Sequence, residues 1–153
     1  MPTYITTHDP IIKEYIANRD AEGLTRHLAS LPYGSSLRLE SVDDIDILSQ
    51  LQIISQSLKH NQNITKLDLV NNNIGPEGAV LIADLLATNA TIIELNLSFN
   101  NIGDAGAELL SRELEANTTL RKLNLYRNNI GDAGAESLGV FLANNSSIAD
   151  FCL

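Results

Sequence analysis

Cysteine is almost absent from the sequence, and its scarcity limits the kinds of protein that are compatible with it. The single cysteine, Cys152, excludes an internal disulfide, and a chain without disulfides suits a reducing compartment. The first ten residues lack the basic segment and apolar core of a cleaved signal peptide. No apolar run approaches the roughly 18 residues that span a membrane. We therefore expect a cytoplasmic protein, or one delivered to a host cytosol without a cleaved signal peptide.

Basic residues are also scarce. Ten Lys and Arg stand against 19 Asp and Glu, which gives a formal charge of −9. Phosphate backbones and anionic lipid surfaces would be repelled by this charge, and the few aromatic residues offer little for stacking with bases. We expect neither nucleic-acid nor membrane binding.

The chain is long enough for one domain, residues 1–153, and too short for a repeat array with a separate catalytic domain.

Residues that usually carry catalysis or bind metals are few and scattered. The three histidines share no spacing: His8, His27 and His60. Cys152 has only Asp150 close by, whereas a nucleophile needs an oriented base and oxyanion donors. One run of carboxylates stands out: Asp43, Asp44 and Asp46. It lacks the central glycine and distal glutamate of a calcium-binding EF-hand loop. We expect no enzyme activity, no cofactor and no metal site.

What the chain does contain is one pattern repeated three times. Residues 63–90, 91–118 and 119–146 each carry Leu, any residue, Leu, two residues, Asn, any residue, Ile and Gly. Equivalent positions stand 28 residues apart: Leu67, Leu95 and Leu123; Leu69, Leu97 and Leu125; Asn72, Asn100 and Asn128; Ile74, Ile102 and Ile130; Gly75, Gly103 and Gly131. A constant period between about 20 and 50 residues indicates a solenoid.

Each repeat predicts a strand, a turn and a helix. The alternating leucines predict a short strand with one buried side, and the glycine allows a turn that a Cβ would hinder. Pro76, Asp104 or Asp132 then suits the first turn of a helix. Three asparagines that close the units are expected in left-handed conformations near the helix C-termini: Asn89, Asn117 and Asn145. Successive strands must run parallel, with the helices on one side.

The flanking segments are expected to complete the stack. Residues 1–34 predict a helical N-terminal cap, whose first nine residues are a poorly ordered lead. Residues 35–62 predict a degenerate repeat, and residues 147–153 a terminal strand. Because helices are about 10 Å wide and strands about 4.8 Å apart, the stack must curve with the sheet inside. The expected fold class is α/β, a right-handed solenoid forming a short horseshoe arc, with the parallel sheet concave and the helices convex.

The repeat resembles the ribonuclease-inhibitor subtype of leucine-rich repeat, on the motif Leu67-x-Leu69-x-x-Asn72-x-Ile74-Gly75 followed by Gly78-Ala79. Three consecutive matches at constant spacing make the resemblance specific. It implies that the repeated Asn side chain bridges backbone groups of neighbouring turns. Asn72, Asn100 and Asn128 would form this ladder, and Val42, which stands at the equivalent position of the degenerate repeat, would interrupt it.

Function is expected on the concave side, where the copies of the repeat differ most. Positions that diverge among internal copies are positions that stacking leaves free to vary. The expected partner-binding residues are Arg38, Glu40, Lys66, Asp68, Val70, Asn71, Glu94, Asn96, Ser98, Phe99, Lys122, Asn124, Tyr126 and Arg127. Phe99, Tyr126 and Arg127 are residue types favoured as interface anchors. We expect a non-enzymatic module that binds a protein partner there, as an enzyme inhibitor or as a microbial effector-type regulator.

Two alternatives remain open. The resemblance extends to Ran GTPase-activating proteins, which act through residues on turns beside the strands, and three residues occupy such turns here: Asn101, Arg127 and Asn129. The other alternative is a fragment of a longer array with a structural or self-assembling role, because the sequence stops one strand into a new repeat. The unpaired edge strand, with Ile148, Phe151 and Leu153, predicts a homodimer.

Overall fold

A computed structural model describes residues 1–40 and 45–153. After an N-terminal unit with two consecutive helices, strands and helices alternate along the chain. The elements are β1 (Tyr4–Thr6), α1 (Pro10–Ala17), α2 (Ala21–Ala29), β2 (Ser35–Arg38), α3 (Ile47–Leu58), β3 (Ile64–Asp68), α4 (Gly75–Thr88), β4 (Glu94–Asn96), α5 (Gly103–Leu114), β5 (Lys122–Asn124), α6 (Asp132–Asn144) and β6 (Asp150–Cys152). The predicted roles of Val42, Asp43 and Asp44 fall outside the described residues.

The strands β1 to β6 form one parallel sheet whose spatial order is the chain order. In register, Leu67 of β3 lies opposite Leu95 of β4, which lies opposite Leu123 of β5, and Leu123 lies opposite Phe151 of β6. Each helix from α3 to α6 packs against the next one along the chain. The predicted α/β solenoid, with a parallel sheet on one side and helices on the other, is confirmed.

The core lies between the sheet and the helices. The strand leucines Leu67, Leu95 and Leu123 are almost completely buried, because alternate residues of a strand point to one side of the sheet. Close approach of neighbouring helices requires small residues. A Cβ added to Gly106 of α5 would lie 3.2 Å from the Cβ of Ala79 in α4. The repeated glycine therefore sets how closely α4 and α5 pack.

The N-terminal unit contains a strand, so the predicted poorly ordered lead is wrong. β1 pairs with β2, and Ile5 lies opposite Leu37 with only 8% of its surface exposed. Beyond the strand, the Thr7 hydroxyl donates to the Glu40 carbonyl at 2.6 Å and accepts the Glu40 N–H at 2.8 Å. Burial of Ile5 and pairing of the neighbouring backbone groups hold this segment. The N-terminal unit is therefore one strand followed by two helices.

The asparagines that close the helices were expected to be left-handed, and this is wrong where the caps are described. Asn89 has φ −81° and ψ 125°, and Asn145 has φ −94° and ψ 120°. Their side chains serve a different purpose. Asn89 Nδ2 donates to the Leu58 carbonyl at 2.7 Å, and its Oδ1 accepts the N–H groups of Thr91 and Ile92. Each such asparagine joins its helix end to the preceding layer and to the start of the next strand.

The turn glycine behaves differently in the third clear repeat. Gly75 and Gly103 have φ of 67° and 66°, where a Cβ is disfavoured, and their N–H groups donate to the carbonyls of Asn100 and Asn128. Gly131 instead has extended backbone. Its N–H donates to Asp104 Oδ1 of the preceding repeat at 2.6 Å. The glycine is therefore required by conformation in two repeats only.

Candidate functional site

Side chains that alternate with the buried leucines form two rows across the open face of the sheet. One row contains Tyr4, Ser36, Lys66, Glu94, Lys122 and Asp150, and the other contains Thr6, Arg38, Asp68, Asn96, Asn124 and Cys152. Most of these side chains line a groove of roughly 380 Å³. The two N-terminal members, Tyr4 and Thr6, were missed from the sequence because the segment was predicted to be disordered. The alternation Tyr4-Ile5-Thr6 was the available signal.

Charges in the groove alternate along the first row and neutralise one another. Lys66 Nζ lies 3.3 Å from Glu94 Oε1, and Lys122 Nζ lies 3.8 Å from the same oxygen. At the N-terminal end, Arg38 Nε lies 3.6 Å from Glu40 Oε1 and 3.9 Å from an Asp68 oxygen. These are partly exposed pairs of the kind that contribute little to stability. Their effect on the groove is to leave no strong field of either sign.

A histidine and a carboxylate form a pair just beyond the C-terminal ends of β1 and β2. His8 Nδ1 lies 2.6 Å from Glu40 Oε2. This hydrogen bond is the main cause that lowers the pKa of Glu40, and the charge of Arg38 acts in the same direction. A hydrogen bond with Tyr4, followed by the charge of Asp68, raises the pKa of Arg38. The pairs join the segment after β1 to the end of β2.

Phe99, Tyr126 and Arg127 come together at the C-terminal ends of β4 and β5. The Phe99 and Tyr126 rings have centroids 5.6 Å apart and meet edge to face at 78°. The guanidinium carbon of Arg127 lies 5.4 Å from the Phe99 centroid and 5.5 Å from the Tyr126 centroid. Arg127 Nε donates to the Tyr126 hydroxyl at 3.2 Å. We call these three residues the anchor cluster; 42% of Phe99 and 41% of Tyr126 are exposed.

Two members of the anchor cluster have an unfavourable backbone conformation. Phe99 has φ 61° and Arg127 has φ 55°. Asn71, at the same position of the first clear repeat, has φ 56°. A left-handed conformation costs roughly 1–2 kcal/mol for an ordinary L-residue, whereas Asn visits it readily. Asn would therefore suit the backbone at all three positions better than Phe or Arg does.

The remaining predicted contact residues differ in their accessibility. Asn71 is exposed and Val70 is partly buried. Ser98, expected on the surface, is only 5% exposed, and its hydroxyl donates to Asn96 Oδ1 at 2.8 Å. Its short side chain lies against its own strand, so it offers little surface to a partner. Tyr126, at the equivalent position, is long enough to extend past the strand.

Asn72, Asn100 and Asn128 join consecutive layers by side-chain hydrogen bonds. Asn100 Oδ1 accepts the N–H of Asn72, and its Nδ2 donates to the carbonyls of Leu69 and Leu97. Asn128 makes the equivalent bonds to Asn100 and to the same Leu97 carbonyl. All three are at most 9% exposed. Because they are buried and bonded on both sides, their side chains are structural rather than available to a partner.

A second row of asparagines lies one residue further along and was not predicted as a ladder. Asn101 Nδ2 donates to Asn73 Oδ1 at 2.8 Å, and Asn129 Nδ2 donates to Asn101 Oδ1 at 2.7 Å. All three are exposed and left-handed. The 28-residue recurrence of the pair Asn-Asn was the signal in the sequence. These amides are bonded to one another along the row of turns that follows the strands.

In the part of the chain that the structure describes, no three His, Cys, Asp or Glu side chains come together as a metal site would require. Asp46, the described member of the acidic run, caps α3 by accepting the Ser49 N–H at 2.9 Å and the Ser49 hydroxyl at 2.6 Å. These bonds lower the pKa of Asp46.

Over residues 1–40 and 45–153, no helix combines the length and apolar character needed to cross a membrane.

Comparison with known proteins identifies the repeats. The profile of the family described as Leucine Rich repeat matches residues 60–83, 88–111 and 116–139. A comparison with functionally curated protein sequences gives no significant match. A solved structure described as leiomodin-1 actin-binding site 2 aligns with a TM-score of 0.68 at 23% identity, covering 94% of this chain and 79% of that one.

The C-terminal domain of tropomodulin from Caenorhabditis elegans aligns with a TM-score of 0.69 at 14% identity, covering 88% of this chain and 82% of that one. At these identities the two structures share the fold with this chain. Each profile match covers one strand, the turn that follows it and the first part of the next helix. The chain is therefore a leucine-rich repeat protein.

Proposed function

We propose that the chain is a non-enzymatic module that binds one protein partner on its concave face, centred on the anchor cluster. The observation that carries this proposal is the left-handed backbone of Phe99 and Arg127. Backbone strain persists where the surrounding structure enforces it, and it concentrates at functional sites. Stacking of the repeats is satisfied by Asn at this position, as Asn71 demonstrates. A Phe and an Arg that cost stability there are best explained by what they contact outside the chain.

The chemistry of the anchor cluster supports the same proposal. Aromatic residues and Arg dominate the binding energy of protein interfaces, and two large rings with an Arg side chain are exposed together here. The neighbouring groove has paired charges, so a partner need not be strongly basic or acidic overall. The contact residues that we propose beside the cluster include Lys66, Glu94 and Lys122, whose exposed ends form the polar rim typical of such interfaces.

The test uses substitutions that other repeats already contain. Phe99→Asn, Tyr126→Ser and Arg127→Asn convert the anchor cluster to residues found at the equivalent positions of other repeats, so the left-handed backbone is retained at positions 99 and 127. We expect this triple variant to lose a partner captured from the native cell by wild type, and to bind that partner, once purified, at least tenfold more weakly. The matched control, Glu108→Gln with Val140→Thr on exposed helix faces, is expected to bind as wild type does. Equal binding by all three proteins would contradict the proposal.

Finer forms of this function concern the identity of the partner. Inhibition of an enzyme by covering its active site, and regulation by a microbial effector-type protein, are both compatible with such a face, as is the ribonuclease-inhibitor-like subtype. The leiomodin-1 fragment that shares this fold is an actin-binding site, which makes actin a defined protein to test here. Co-sedimentation with filamentous actin and gel filtration with monomeric actin, each with the triple variant, would test it. We further propose residence in the cytoplasm, including a host cytosol.

A GTPase-activating role is the alternative with less support. Asn101 and Asn129 are candidates for contacting a GTPase, but their side-chain amides are hydrogen-bonded to each other. Arg127 rests on the two aromatic rings. If the alternative holds, the chain will accelerate GTP hydrolysis by a small GTPase, and Arg127→Asn will abolish the acceleration. The binding module predicts an unchanged rate of hydrolysis.

The domain divisions are a separate proposal: one domain with a cap at residues 1–34, repeats from residue 35 to residue 146, and a terminal strand.

We also propose, independently of the partner, a homodimer through the edge of the sheet. The outer edge of β6 borders Leu153, which is 50% exposed, and the partly buried Ile148 and Phe151. An edge strand with apolar neighbours favours pairing with another strand. Light scattering over a wide concentration range tests this proposal, and a constant monomer mass would contradict it.

A further inference from the structure

We infer that Arg127 binds a carboxylate on the partner, and that this carboxylate is flanked by an apolar side chain. The inference rests on the proposed function, because it assigns a chemistry to the partner group that occupies the anchor cluster. The net charge of −9 by itself favours a basic partner, whereas the inferred partner group is acidic. Three observations support an acidic group instead: the charge pairing of the groove, the orientation of Arg127, and the apolar surface around it.

The other basic residues of the concave face already have carboxylate partners. Arg38 has Glu40 and Asp68 within ion-pair distance, and both Lys66 and Lys122 share Glu94. Among the described residues, no carboxylate lies within 4.0 Å of Arg127, whose nearest polar contact is the Tyr126 hydroxyl. Arg127 is exposed, so it is the concave-face cation in the described chain without a partner of opposite charge.

The Arg127 side chain is also restrained by its neighbours. Two rings contact its guanidinium, and the hydrogen bond from Nε to Tyr126 restrains the side chain further. Arginine is well suited to this arrangement, because its planar group stacks on rings while the terminal N–H groups still donate to an outside acceptor. Among the described residues, those terminal groups donate to no protein acceptor. A restrained guanidinium loses less conformational freedom when it binds, which favours the complex.

The shape of the guanidinium and its surroundings specify the ligand. Two parallel N–H donors match the two oxygens of a carboxylate. The exposed ring of Phe99 lies on one side of Arg127, so an apolar side chain next to the carboxylate would cover it. The negative charge on the helices repels an acidic partner, but salt at about 0.1 M largely screens that repulsion beyond about 10 Å. The ion pair acts at contact distance, where Arg127 dominates.

Matched peptides test the inference directly. ¹⁵N-labelled protein is titrated with acetyl-Phe-Glu-Leu-amide and with acetyl-Phe-Gln-Leu-amide, which differ only in charge, while the Arg127 Nε–Hε signal and the backbone amides of residues 96–101 and 124–129 are followed. We expect the Glu peptide to shift these signals and to bind about fivefold more tightly than the Gln peptide, the size of one partly exposed ion pair. Arg127→Asn should remove that difference and retain wild-type backbone spectra elsewhere.

Each other outcome has a distinct meaning. Equal affinity for both peptides, abolished by Phe99→Asn, would overturn the carboxylate inference and leave the concave-face binder standing. A response to inorganic phosphate without a response to the Glu peptide would also overturn it, because the ligand would then be a phosphate. No response to either peptide overturns the inference as well. The proposed function fails separately, if the natural partner binds the triple variant of the anchor cluster as tightly as wild type.

Discussion

The side-chain oxygen of Asn100 accepts a 2.9 Å hydrogen bond from the backbone N–H of Asn72, which lies 28 residues earlier in the chain. The same amide donates from Nδ2 to the Leu69 carbonyl at 2.7 Å. Nδ2 also donates to the Leu97 carbonyl of its own repeat at 2.9 Å, so one buried side chain satisfies backbone groups of two adjacent layers. Unsatisfied backbone groups in such a place are costly.

Replacing Asn100 with Ala should lower the free energy of unfolding by about 1–3 kcal/mol, because it leaves these buried groups without partners. Urea unfolding followed by circular dichroism measures the change. Asn144→Ala is the control, because Asn144 is exposed near the end of α6, and its effect should stay within about 0.5 kcal/mol. Equal midpoints for the Asn100 variant and wild type would contradict a structural role for this side chain.

Phe99→Asn should be tolerated by the fold even though a large ring is removed. The variant relieves a left-handed conformation that costs Phe roughly 1–2 kcal/mol, and it loses ring contacts worth about 0.5–1.5 kcal/mol. We expect an unfolding free energy between about 0.5 kcal/mol below and about 1.5 kcal/mol above that of wild type, measured by urea unfolding. A loss well above 1 kcal/mol would indicate that Phe99 stabilises the stack, and would weaken its assignment as a binding residue.

Two glycines in helices should respond to alanine in opposite directions. At Gly106 a new Cβ would lie 2.4 Å from Ile102 Cγ2 and 3.2 Å from the Cβ of Ala79, so Gly106→Ala should cost about 1–3 kcal/mol through overpacking. At Gly139 there is open space, and Gly139→Ala should add about 0.5–1 kcal/mol from helix propensity. Thermal unfolding of both variants tests the pair, and a destabilised Gly139 variant would contradict the expectation.

The Glu40 carboxylate should make stability depend on pH in the acid range. Its pKa in the folded chain is lowered from an ordinary value near 4.5, chiefly by the hydrogen bond with His8. A depressed pKa means that the contribution is present above the ordinary value and is lost as the pH falls through the folded value. Between about pH 6 and pH 3, wild type should therefore lose more unfolding free energy than Glu40→Gln. Parallel losses in urea titrations would show that the pair has no net effect. Asp46, which accepts hydrogen bonds from Ser49, also has a lowered pKa and contributes in the same direction in both proteins.

Periodicity alone was sufficient to predict the stack. Stacking imposes the same requirements on every layer. They appear in the sequence as alternating leucines, as the repeated asparagine at Asn100 and its equivalents, and as the constant 28-residue spacing. Prediction failed where a segment lacked the repeat. Tyr4–Thr6 carries only one strongly apolar residue, Ile5, and its strand forms because the edge of β2 is available to pair with it. Because β2 lies about 30 residues further along the chain, the residues around Ile5 do not by themselves show that a pairing partner is available.

The candidate site was predictable as a location but not as a geometry. Sequence divergence identified Phe99, Tyr126 and Arg127, because stacking does not constrain those positions. The contacts among them, with one guanidinium resting on two rings, depend on side-chain directions that spacing does not specify. Ser98 illustrates the limit: the same position holds Tyr126 in the next repeat, yet a side chain too short to leave the strand is buried there.

The shared junction between layers has a consequence for how such a chain can change over generations. Every layer from β3 to β5 meets its neighbour through the same asparagine bonds, so duplication of a 28-residue segment creates a junction that is already compatible. Stability of such arrays is close to a sum over units and their interfaces. A duplicated unit can then acquire a new residue beside its strand at a cost confined to one layer. The proposed binding face can therefore diversify one unit at a time, while the rest of the stack retains its fold.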